Sequence, residues 1–316
     1  MKTLKVIITS LFLILITVSC EDVLNRTPLD KIMADDVFSD EVLVQAYVTN
    51  LYSRFPYNTF RSAQSTLCDE MTSSTGNSNN VTRGTVSKGS EAASYWDYTY
   101  IRNMTDFIDK VRVSTFSNPV KKRLEGEVRF LRAFTYFEMQ KRYGGVPLVD
   151  VVIDPFQPVE SKYTTRSKEE QIADFIMSEL DAIKPMLGTS KTPLGRVNKW
   201  TVFALEARAS LWSASIAKFG TVQLDGLVGI PASRANEFYT RASRAADSVI
   251  LSGKYTLYNP VPSDKAENYR RIFIDEEHSE IIWEMAYDGV NIGHGWDAWN
   301  APNQFAERGG TDDPTL

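Results

Sequence analysis

Apolar residues recur along most of this chain at the spacing of a helix face. Residues 39–55 carry Val42, Leu43, Ala46, Tyr47 and Leu51, and residues 98–113 carry Ile101, Met104, Ile108 and Val111. The cleanest stripe lies in residues 167–187, through Ile172, Phe175, Ile176, Leu180, Ile183 and Leu187. Ser167 and Glu170 have the S-x-x-E spacing of a capping box at its start, and Pro185 bends or ends its last turn. Residues 198–218 differ, because Ala204, Ala207, Ala209, Ala214 and Ala217 let a neighbouring helix come close. Residues 236–252 place Phe238, Ala242, Ala245, Ala246, Val249 and Ile250 at helical spacing, with Gly253 as the stop. Alternating patterns are weak, and 146–153 and 280–286 are the strand candidates. The pattern predicts a mostly α chain.

One helix reads differently from the others. In GEVRFLRAFTYFEMQKRYGGVPLVD (residues 126–150), Gly144 can close the helix in the left-handed conformation, and Pro147 prevents it from resuming. At about 100° per residue, Phe130, Phe134 and Phe137 cluster on one side, with Tyr136, Met139 and Tyr143 nearly opposite. A helix apolar on two sides is sandwiched between layers. Its arginines and glutamates are expected to snorkel or pair at the layer edges. Stacked helix pairs follow as the architecture, 98–113 with 120–143 and 167–187 with 198–218. No strict 34-residue period is present, so any repeat is divergent. Two stretches break the helical plan. Residues 56–96 are long and polar, with TSSTGNSNNVTRG at 72–84, and residues 288–310 hold five of the 17 glycines. Loops of that length usually carry function or are disordered.

The first 19 residues change the picture of where the chain works. Lys2 and Lys5 precede an apolar run from Val6 to Ile16 and on to Val18, the pattern of a secretory signal. Thr17-Val18-Ser19-Cys20 then resembles a bacterial lipobox, departing from it at Thr17 where Leu is usual. In that reading Cys20 is the first mature residue and carries a lipid. The alternative is an ordinary signal peptide with a chance cysteine. An exported chain left with Cys68 as its one other cysteine has no internal disulfide framework and relies on its core. With 35 basic and 40 acidic residues, a net charge of −5 and no basic stripe, a nucleic-acid partner has no support.

No enzyme signature is present. The two histidines, His278 and His294, sit in no H-E-x-x-H motif, and there is no G-x-S-x-G elbow or Walker-type loop. The sequence therefore calls for no catalytic residue, no cofactor and no metal. The run Asp275-Glu276-Glu277 reads as a solvated face.

Residues 126–149, GEVRFLRAFTYFEMQKRYGGVPLV, resemble the long-helix signature of the SusD/RagB family of outer-membrane nutrient-binding lipoproteins. Matches in chain order include the lipobox with Glu21-Asp22, TTRSKEEQIADFIMSELDAIKPML, GRVNKWTVFALEARASLWSA and YTRASRAADSVILSGKYTL. NYRRIF before SEIIWEMAY completes them. The resemblance implies a tetratricopeptide-like helical-pair scaffold with long irregular loops over residues 20–316, following the signal at 1–19. It also implies a lipid-anchored, non-enzymatic protein of the outer cell surface. Such proteins capture a glycan, or a peptide, as the lid of a SusC-type TonB-dependent transporter. The ending GGTDDPTL falls where family members usually continue. The expectation is an incomplete C-terminal region, with the 236–252 helix lacking a partner and exposing an apolar face.

Glycan capture needs aromatic faces for pyranose rings and planar amides or carboxylates for hydroxyls. Trp296 and Trp299 lie in the glycine-rich stretch beside Asp297, Asn300 and Asn303, and Asp69, Asn77, Asn79 and Asn80 lie in the first one. The candidate ligand set is Trp296, Trp299, Asn300, Asp297, Asn77 and Asn79. For the two tryptophans, stacking on ligand and packing within the fold both stay open. Trp283 and Trp96 read as packing residues. A helical scaffold that binds a protein partner is the alternative function.

Overall fold

The structure is a computed structural model that describes residues 34–55, 71–73, 84–85, 95–191, 195–285, 287 and 312–314. Its helices are α1 (Ala34–Val37), α2 (Glu41–Ser53), α3 (Tyr98–Val113), α4 (Asn118–Tyr143) and α5 (Ser161–Thr164). They continue with α6 (Glu169–Ile183), α7 (Lys199–Phe219), α8 (Ala235–Leu251) and α9 (Lys265–Arg271). A short antiparallel pair joins β1 (Met71–Ser73) to β2 (Asp312–Pro314), with Thr72 opposite Asp313.

Side-chain caps set several of the helix starts. The Asp40 carboxylate accepts from the Val42 and Leu43 amides, Asp97 from the Tyr100 amide, and Asn198 from Trp200 and Thr201. Helix α3 packs on α4, α4 on α6, α6 on α7, and α7 on α8. The pairs α3/α4 and α6/α7 are those the periodicity predicts. The second helix of each also meets the first helix of the next, as in a tetratricopeptide-like stack.

Helix α4 is buried on both sides, as its pattern requires. Phe130, Phe137, Tyr136 and Met139 are at most 1% exposed. On one side Phe134 meets Phe55 at 4.5 Å, and on the other Tyr136 meets Phe175 of α6 at 5.0 Å. Its charges do not all stay at the layer edges. Glu179 of α6 accepts from Arg129 (2.7 Å) and Arg132 (2.8 Å), and Arg132 also donates to Thr105 of α3 (3.1 Å). The Arg132 and Glu179 side chains are each 6% exposed. This cluster ties three helices together inside the core. Burial pushes the Glu179 carboxyl up, but the two arginines outweigh it and hold it below the usual carboxylate range.

The glycine pair that ends α4 is a docking point for two other segments. Gly144 closes the helix with φ 69°, and the Gly145 amide donates to the Leu227 carbonyl at 2.7 Å. A Cβ on Gly144 would meet Leu227 O at 2.5 Å, and one on Gly145 would meet Ser167 O at 1.9 Å. Both close approaches need glycine.

Three expectations are corrected here. The Ser167 amide donates to Val146 O (2.9 Å), so that residue stays extended against the turn and α6 begins at Glu169. The cap that forms is the Gln171 side chain accepting from the Lys168 amide at 2.9 Å. Residues 146–153 build no strand, because the Tyr136 hydroxyl takes both backbone groups of Val149 (2.8 and 3.1 Å). The described residues of 280–286 are irregular as well. The apolar stripe of α8 is not left open. Phe238, Ala242, Ala245 and Val249 are buried on a helix packed against α7, and only its last turn exposes Ile250 and Leu251.

Candidate ligand surface

Described residues that precede the two long stretches holding the candidate ligand residues meet on the scaffold. Phe55 is the last described residue before the first stretch. Its ring lies 5.0 Å from Trp283, which precedes the second stretch. Trp283 also meets Phe130 edge-on at 5.4 Å and donates its indole N–H to Gly195 O at 2.9 Å. It therefore packs on the core, as read from its apolar neighbours. The backbone of β1, inside the first stretch, pairs with that of β2, which follows the second stretch.

The first stretch returns to the scaffold at Tyr95 and Trp96. The Tyr95 amide donates to the Tyr143 hydroxyl (2.8 Å), and Tyr98 donates to Pro147 O (2.6 Å). The Trp96 ring rests edge-on against Tyr143 at 5.1 Å and tilted against Tyr98 at 5.3 Å. It is nevertheless 50% exposed. Packing fixes its orientation and leaves much of it open, so it can serve as a stacking surface. Reading Trp96 as a packing residue captured half of this. Its position at the end of a long polar stretch was the available signal. Burial pushes the Tyr95 phenol up to about 12 and raises Tyr98 and Tyr100 as well, so these hydroxyls stay neutral at physiological pH.

Cys20, Asn77, Asn79, Trp296, Asp297, Trp299 and Asn300 lie outside the described residues, as do Cys68, Asp69, Asn80, His294 and Asn303. His278 is structural. It stacks on Tyr258 at 4.7 Å, its Nε2 sits 2.9 Å from Ile272 O, and its Nδ1 accepts from the Glu280 amide at 3.2 Å. Both ring nitrogens are thus engaged. Asp275 accepts from the Tyr258 hydroxyl (2.6 Å), while Glu276 and Glu277 are exposed. Among the described residues no three His, Cys, Asp or Glu side chains converge as a metal site. No described helix is long and apolar enough to cross a membrane.

The profile of a SusD-like family, described as starch-binding associating with outer membrane, matches residues 23–211. No curated protein matches the chain. A SusD-like protein of Bacteroides fragilis superposes with a TM-score of 0.69 at 27% identity, over 92% of this chain and 54% of its own. A SusD-like carbohydrate-binding protein of the same species gives 0.62 at 18% identity, over 88% and 52%. A laminarin-binding SusD-like protein gives 0.58 at 17% identity, over 82% and 55%. The chain spans about half the length of these structures. With the family profile matched over more than half of its residues, and the helical-pair scaffold superposing on these structures, the chain belongs to the SusD-like family.

Proposed function

We propose that this chain is a cell-surface lipoprotein that captures a glycan and closes as a lid over a SusC-type TonB-dependent transporter. The observation that carries the reading is the contact of Phe55 with Trp283, which brings together on the helical core the residues that lead into the two long stretches. Binding residues carried on loops and positioned by a rigid scaffold are a common arrangement. In this reading Trp296 and Trp299 stack on pyranose faces, and Asp297, Asn300, Asn77 and Asn79 pair with hydroxyls. Trp96 extends the aromatic surface from the scaffold side. A lipid on Cys20 keeps the protein at the outer membrane, where many copies raise the effective affinity of weak sites. The family description and the laminarin-binding neighbour support a glycan over a peptide.

Affinity electrophoresis through gels containing a panel of polysaccharides tests the ligand. At least one polysaccharide is expected to retard the protein, and Trp296→Ala with Trp299→Ala to abolish the effect. A folded protein retarded by none of them refutes glycan capture. For the lid, the intact lipoprotein should co-purify with a large β-barrel partner, and isolation without one counts against that role.

A further inference from the structure

A cleft of about 570 Å³ opens between the C-terminal half of α6, the start of α7 and one side of α8. Most of its charges are already spent. The buried Glu206 holds Lys184 and Arg241 at 2.7 Å each, and Asp181 binds the same two cations at 2.7 Å each. These two acids and two bases neutralise one another across the floor. At the rim Glu237 pairs with Arg234 at 2.9 Å, an arginine that Asp174 also holds at 2.7 Å.

Besides the buried Arg241 Nε, which has no hydrogen-bond partner, what is left unspent lies in a row on α8. Asn236, Thr240 and Arg244 follow one another at i, i+4 spacing along the lining, and all three are exposed. Among the described residues their side chains make no hydrogen bond or ion pair. Ser248 continues the row and spends its hydroxyl hydrogen on Arg244 O at 2.8 Å, keeping its lone pairs as acceptors. Successive members are about 6 Å apart along the helix, roughly the reach across a sugar ring. The cleft therefore offers an amide, hydroxyls and, in Arg244, one guanidinium with no ion-pair partner. A guanidinium presents parallel N–H groups that match a carboxylate, and the amide and hydroxyls match ring hydroxyls.

Resting on the glycan reading above, we infer that this cleft is a second subsite, one that takes a carboxylate-bearing sugar unit of the hexuronate class. Arg244 reads the carboxylate there, and Asn236 and Thr240 hold the ring hydroxyls. The paired acids of the floor orient the cleft's own cations and leave the incoming carboxylate to Arg244. A neutral glycan does not need this site.

The probe is polygalacturonate, run in affinity gels beside the neutral polysaccharide panel. The wild-type protein should be retarded by polygalacturonate. Arg244→Ala and Arg244→Lys should each bind it at least about tenfold more weakly, the size of one lost charge-assisted hydrogen bond. Both variants should keep their retardation by any neutral polysaccharide that retards the wild type. Arg244 is exposed, so neither substitution disturbs the core. Retardation by a neutral polysaccharide but not by polygalacturonate overturns the subsite and leaves the glycan reading intact. Full binding of polygalacturonate by Arg244→Lys overturns the bidentate role and reduces the effect to net charge. Loss of neutral-glycan binding in the Arg244 variants overturns the independence of the two sites. No retardation by any polysaccharide overturns both readings together.

Discussion

Replacing Gly145 with alanine puts a methyl group 1.9 Å from the Ser167 carbonyl oxygen, more than 1 Å inside the 3.0 Å limit that real Cβ contacts respect. The obstructing atom is backbone, so no side-chain rotation relieves the clash. The extended segment at Arg166 and Ser167 has to move away from the turn. That motion breaks the Ser167 amide bond to Val146 O (2.9 Å) and the two Arg166 bonds, to Gly145 O (2.7 Å) and Tyr143 O (2.6 Å). One neutral bond at about 1 kcal/mol and two charge-assisted bonds at about 1.5 kcal/mol each give a loss of about 4 kcal/mol. With a urea slope of about 3 kcal/mol/M, the unfolding midpoint falls by more than about 1 M. Gly188→Ala is the control, because a Cβ there meets nothing within 4 Å. It should change stability by no more than about 0.5 kcal/mol. Urea unfolding followed by circular dichroism and tryptophan fluorescence reads both. If the Gly145→Ala midpoint coincides with that of Gly188→Ala, the close approach at the turn does not bear on stability and the reasoning fails.

Glu179→Gln leaves Arg132 without its buried anion and Arg129 with only Glu125 at 3.4 Å, and should cost about 3 kcal/mol at neutral pH. Because the folded carboxyl lies below its ordinary value, its contribution is present above about pH 4.3 and is lost as pH falls through the lower folded value. The gap between wild type and variant should therefore close on acidification, and a gap that is flat with pH contradicts the assignment. Trp283→Ala removes rings packed on Phe55 and Phe130 and should cost about 3 kcal/mol, lowering polysaccharide retardation as well by loosening the loop root. Trp96→Ala should weaken retardation while changing stability by less than about 1 kcal/mol, since half of that side chain is already exposed. Equal effects of the two substitutions on stability would erase the distinction between packing and stacking.

Features that depend on neighbours a few residues away were legible in the chain. The helical stripes of α3, α6 and α8, the two-sided burial of α4 and the core role of Trp283 all follow from local spacing of apolar groups. The long-helix signature and its Gly-Gly stop led to the family. Features that depend on distant partners were not legible. Ser167 reads as a cap until Val146, 21 positions away, claims its amide. Residues 146–153 read as a strand until the Tyr136 hydroxyl satisfies Val149. Arg132 reads as an edge residue until Glu179 meets it inside the core. The row of Asn236, Thr240 and Arg244 shows its spacing in the sequence, but only the packing of α6 and α7 makes a cleft beside it.

Local pattern was enough for the helical scaffold, and it raised the expectations of export, lipidation and sugar-binding residues. These rest on local periodicity and short motifs. The meeting of Phe55 and Trp283, far apart in the chain, came only from tertiary packing. That packing alone decided which charges are spent on one another and which remain open. Hydrogen-bond and ion-pair partners are settled by what packing brings within about 3 Å, and residue spacing along the chain carries no record of that.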